Sequence, residues 1–77
     1  MKTTIMINDI PTIKKFQEEV IKFDEDIDIV RGRYIIDAKS MLGIFTIDLS
    51  KPTDIVIHSD DEAIVEQFLS IMKQFQE

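Results

Sequence analysis

The sequence predicts an α+β domain of two layers, an antiparallel sheet with helices on one face, in the order β-α-β-β-α-β-α. Three observations carry this. Short segments around Ile5, Ile27 and Ile55 alternate apolar and polar residues at a period of two. Two longer segments, one after Pro11 and one after Glu62, repeat apolar residues every three or four positions. In mid-chain, two alternating runs flank Gly32, which is a hairpin signal.

Thr3 to Ile7 is the first expected strand, with Ile5 and Ile7 on one face. Asn8-Asp9 break it, and Pro11 suits the first turn of a helix, where its missing N–H is not needed. Ile13, Phe16, Val20 and Phe23 then form the apolar stripe of a helix of about three turns. Lys14, Lys15, Gln17, Glu18, Glu19 and Lys22 are expected in water, with Lys14–Glu18 and Lys15–Glu19 as i,i+4 pairs. Asp24-Glu25-Asp26 end the helix. Asp26 to Val30 and Tyr34 to Ala38 are the hairpin strands, joined through Arg31-Gly32-Arg33 with Gly32 able to take a positive φ. Ser40 is a natural N-cap for a short helix over Met41 to Ile47, which Gly43 weakens. Ser50-Lys51-Pro52 is a stop. Thr53 to His58 is the last strand, with Ile55 and Ile57 on one face and Val56 on the other. Ser59-Asp60-Asp61-Glu62 reads as a capping box with Ser59 at the cap. The helix it opens carries Ile64 or Val65, Phe68, Leu69, Met72 and Phe75 at helical spacing.

Seventy-seven residues make one domain, 1–77, with a small core. A composition 44% apolar and 31% charged is that of a globular chain rather than a disordered one. The absence of cysteine excludes a disulfide framework and thiolate chemistry. The apolar runs are too short to span a bilayer, and the start of the chain lacks a signal-peptide pattern, so the expected location is cytoplasmic. With fifteen acids against nine bases and a net charge of −6, the scattered basic residues argue against nucleic acid and anionic membranes as direct partners.

Lys39-Ser40-Met41-Leu42-Gly43-Ile44-Phe45 resembles the regulatory-serine segment of the HPr family, small phosphocarriers of the bacterial sugar phosphotransferase system. That family writes the segment Lys-Ser-Ile-Met-Gly-Val-Met, after a hairpin and at the opening of a short helix. Counted outward from Ser40, the resemblance covers most of the chain. It implies an HPr-like open-faced β-sandwich. The family carries phosphate on a histidine opening the first long helix, in the motif His-Ala-Arg-Pro. Here Asp9-Ile10-Pro11-Thr12 stands in its place, with Asp9 at the histidine position and Pro11 at the arginine position. The sole histidine is His58. The resemblance therefore implies a divergent paralogue without the carrier chemistry. In the family the serine is phosphorylated by a dedicated kinase, and the modified protein docks on a transcriptional regulator or blocks carrier activity. The partners it implies are HPr kinase, a transcriptional regulator or phosphotransferase-system enzymes.

Each candidate residue has a structural reading beside the functional one. Asp9 suits a helix N-cap, where it accepts backbone N–H bonds and its charge is favoured. Ser40 is a cap, a phosphosite, or both, since a phosphate there meets free N–H groups and the positive end of a helix. Lys39 stands beside it as a counter-charge. Met41, Leu42, Ile44, Phe45 and Ile47 cannot all face inward on one short helix, so part of this cluster is expected to form a partner-binding patch. The alternatives are packing against the hairpin edge or a second copy in a homodimer. Arg31 and Arg33 either grip an acidic partner or keep an edge soluble. His58 lacks the companions that a metal site or a catalytic base requires. No catalytic residue, metal or cofactor is expected, and the chain is read as a non-enzyme. The leading function is a regulatory, protein-binding module acting through the Ser40 region. The alternatives are a phosphocarrier with an unorthodox acceptor and a small interaction or oligomerisation domain without phosphate chemistry.

Overall fold

The computed structural model describes residues 1–40 and 48–76. Its elements follow in the order β1 (Lys2–Ile5), α1 (Ile10–Ile21), β2 (Ile27–Arg31), β3 (Tyr34–Asp37), β4 (Thr53–Ile57) and α2 (Glu62–Met72). A 3-10 turn over Lys73–Phe75 closes the chain's last apolar stripe. The short helix expected over Met41 to Ile47 lies outside the described residues.

The four strands form one sheet in the order β1-β4-β2-β3, antiparallel throughout. The period-two alternation decides which side is covered. Ile5, Ile27, Ile29, Ile55 and Ile57 are buried on one face, together with Thr53. α1 and α2 lie on that face, and Phe16, Val20, Phe23, Phe68, Met72 and Phe75 complete a single core. Phe16 meets Phe75 edge-on at 5.4 Å, and Phe23 meets Phe68 edge-on at 6.1 Å, the arrangement the ring quadrupoles favour. The register sets two rows of side chains across the open face: Lys2, Val56, Asp28 and Asp37, then Thr4, Asp54, Val30 and Ile35.

The hairpin is tighter than the three-residue turn expected. Arg31 pairs with Tyr34, leaving Gly32-Arg33 as a two-residue loop. Gly32 has φ 58° and no other described residue has a positive φ, which is the type II′ arrangement that matches strand twist.

Several local expectations are corrected. β1 covers Lys2–Ile5 rather than Thr3 to Ile7; beyond it, Met6 and Ile7 donate to Phe75 and Leu49 instead of a neighbouring strand. Gln17, expected in water, is 5% exposed, because its amide finds an acceptor in the backbone of Lys39. The ion pair on the wet face of α1 is Glu19–Lys22 at 3.3 Å, one turn apart, rather than either i,i+4 combination. The N-cap of α2 is Asp61, not Ser59. Asp61 accepts from the Ala63 amide at 2.9 Å, and Ser59 Oγ accepts from the Asp61 amide one step earlier, at 3.1 Å. Both residue types cap well, and the helix starts at the second of them.

Candidate functional site

The start of α1 is built by Asp9. Its backbone is extended, with φ −138° and ψ 152°, so the helix begins after it and its first N–H groups need partners from outside the helix. The side chain closes them. Oδ2 accepts from the Thr12 amide at 3.0 Å, and the Thr12 hydroxyl donates to the carboxylate at 2.8 Å. Pro11 occupies the first turn, where it removes one N–H that would otherwise need a partner. A carboxylate held this way is an acceptor, with its lone pairs directed at its own helix. No imidazole and no guanidinium stand at this helix start.

The end of the hairpin is held by Lys39. The Lys39 amide donates to Asp37 Oδ1 at 2.9 Å, and the Ser40 amide donates to the Asp37 carbonyl at 3.0 Å, closing a turn after β3. The Lys39 carbonyl accepts from Gln17 Nε2 at 3.4 Å. Its ammonium donates to the Phe23 carbonyl at 2.6 Å, just past the end of α1, where the negative end of the helix attracts a cation. Lys39 is therefore tied to the middle and end of α1. Asp9 sits at the other end, about 12 Å of helical rise from Gln17. Ser40 follows directly on this tether. Met41, Leu42, Ile44, Phe45 and Ile47 lie outside the described residues.

His58 lies at the end of β4. Its amide donates to the Asp26 carbonyl at 2.9 Å, and Nε2 lies 2.7 Å from Asp28 Oδ2 on the open face of the sheet. This pair was not visible in the sequence, because thirty positions separate the residues and only the β2–β4 register joins them. Among the described residues no group of three or more His, Cys, Asp or Glu side chains is placed to hold a metal ion. No described helix is long and apolar enough to cross a membrane.

Arg31 Nη1 donates to the Asp48 carbonyl, so this arginine fastens the hairpin to the segment before β4, while Arg33 is exposed at the turn. The Asp48 carboxylate is held below the usual carboxylate range, first by the Ser50 hydroxyl and then by the Ser50 amide. This stabilises the turn that delivers the chain to Lys51 and Pro52.

No protein-family model matches the chain, and no curated protein matches it. Solved structures do. HPr-C-His from Thermoanaerobacter tengcongensis superposes with a TM-score of 0.74 at 18% identity, covering 95% of this chain and 91% of that one. The phosphocarrier protein HPr from Bacillus anthracis str. Ames superposes with a TM-score of 0.74 at 19% identity, covering 99% and 96%. The chain thus has the HPr-like fold over nearly its whole length, with an antiparallel four-stranded sheet backed by helices.

Proposed function

We propose that this chain is an HPr-type protein related to the sugar phosphotransferase system, acting as a non-carrier regulatory and protein-binding module through the Ser40 region. The observation that carries the reading is the start of α1. A phosphocarrier needs a nucleophilic imidazole there, with a cation to steady the phosphoryl group. In this chain Asp9 is turned onto Thr12, Pro11 follows, and the only histidine lies beyond the opposite end of α1, beside Asp26. A carboxylate serves as a phosphoryl acceptor in a site with a metal and neighbouring acids, and Asp9 faces a threonine instead.

Ser40 is the positive half of the reading. Its segment resembles the family's regulatory serine, and it follows a turn whose backbone is pinned through Asp37, Gln17 and Phe23. A phosphate added after so firm a tether changes local charge by nearly two units without asking the core to move. The acceptors of such a signal are proteins: HPr kinase as the modifying enzyme, and a transcriptional regulator or phosphotransferase-system enzymes as docking partners. The test is incubation with ATP and HPr kinase, followed by intact-mass measurement. A single phosphate, absent in Ser40→Ala, supports the regulatory module. An unmodified mass for the wild type removes the phosphoserine part of it.

A further inference from the structure

The two edges of the sheet are treated differently. Along β1 the C-terminal segment closes the edge, with Met6 donating to the Phe75 carbonyl at 2.9 Å and Gln76 Nε2 to Thr3 Oγ1 at 2.6 Å. Along β3 no described residue does so. Pairing of Arg31 with Tyr34 and Ile29 with Ile36, continued by the Ala38 amide on the Ile27 carbonyl, turns the even-numbered residues of β3 inward to β2. The amides of Ile35 and Asp37 and the carbonyl of Ile35 therefore point outward, and Arg33 stands at the turn just before the strand. This edge also carries the most exposed large apolar side chains of the molecule among those described, Tyr34 at 70% and Ile35 at 68%. Unpaired edges of this kind are usually blunted by charge.

The charges beside this edge are of both signs. Arg33 and Asp37 flank Ile35 symmetrically, with opposite sign. We propose that β3 is a self-recognition edge, on which a second copy of this chain docks antiparallel with Ile35 opposite Ile35. In that register Arg33 faces Asp37 of the second copy, twice over by symmetry, and opposite charges directly across a strand pair attract. The Ile35 amide and carbonyl exchange hydrogen bonds with their symmetry mates. The Asp37 carbonyl is already taken by Ser40 and is not required. On the open face Val30 and Ile35 join their counterparts in one apolar row; on the other face Tyr34 covers Ile36 of the second copy.

The alternatives are worse on the same grounds. Shifting the register by two residues one way sets Arg33 against Lys39, and the other way sets Arg33 against Ile35 and carries Asp37 past the turn, where it loses its partner; a parallel arrangement sets Arg33 beside Arg33 and Asp37 beside Asp37. Like charges directly opposite are destabilising. The self-complementary isologous patch is what a two-fold dimer needs. This inference is independent of phosphate chemistry at Ser40.

An edge of four residues buries little area, so the association is weak and is sought between ~10 μM and ~1 mM. Sedimentation equilibrium of the full chain should show the mass rising from 9.0 kDa toward twice that value. Arg33→Glu and Asp37→Arg should each weaken self-association at least tenfold. Mixed together they should associate, because each then presents the charge the other lacks. Ile35→Lys, which sets two ammonium groups face to face on the two-fold axis, is a second disruptive variant that leaves the Asp37–Lys39 turn intact. Far-UV circular dichroism checks that every variant is folded. A wild type that stays at 9.0 kDa throughout overturns the proposal, and so do charge variants that associate as well as the wild type.

Discussion

Replacing Lys39 by methionine should cost the protein about 1.5 kcal/mol. The ammonium donates to the Phe23 carbonyl at 2.6 Å, beyond the last turn of α1. A hydrogen bond from a charged group contributes about 1.5–3 kcal/mol, and the low end applies because Lys39 is only half-buried and water competes for it. Methionine keeps most of the apolar stem, so the loss reports the bond rather than packing. For 77 residues, an unfolding entropy near 2.1 cal/mol/K per residue turns that loss into a drop of about 9 °C in Tm. The assay is thermal unfolding followed at 222 nm, with Lys39→Arg as the control that keeps a donor. A Lys39→Met protein melting within about 2 °C of the wild type would refute the idea that this side chain ties the hairpin to α1.

Asp9→Ala should lower stability by about 1 kcal/mol, and Asp9→Asn, which still caps, by less; urea unfolding of both tests whether the carboxylate works as a cap. Phe68→Ala removes a fully buried ring packed edge-on against Phe23, and should cost about 4 kcal/mol in the same assay. The Asp48 carboxylate, depressed by the Ser50 hydroxyl and amide, lends stability above the carboxylate range that fades as pH falls through its lowered value. Ser50→Ala should move its NMR titration midpoint upward toward that of an ordinary aspartate, and an unmoved midpoint would deny the hydroxyl its role.

The core was legible because its spacing is local. Phe16, Val20 and Phe23, then Ile27 and Ile29, then Ile55 and Ile57 each follow the period of their own element, and all are buried. What the sequence concealed depends on other elements. Gln17 looks like any solvated helix residue until the Lys39 carbonyl arrives beside it. Leu49 sits in a polar-looking stretch and is buried, with its carbonyl accepting from Ile7. Ser59 and Asp61 are interchangeable as caps on paper, and the helix chose the second. The candidate site divides the same way. Asp9 at a helix start could be read from Asn8-Asp9 and Pro11, whereas the path of the Lys39 ammonium to Phe23 could not, since it crosses sixteen positions of sequence. The pairing of His58 with Asp28 likewise needed the register of two strands.

The central claim is an HPr-like fold without the carrier reaction. Its most direct test is to incubate the protein with phosphoenolpyruvate and Enzyme I, alongside an HPr that accepts phosphate, and to read the intact mass of each. The expected result is a phosphate on the control HPr and an unchanged mass for this chain. A phosphate arriving on this chain from Enzyme I, whether on His58 or on Asp9, would contradict the account and restore a carrier.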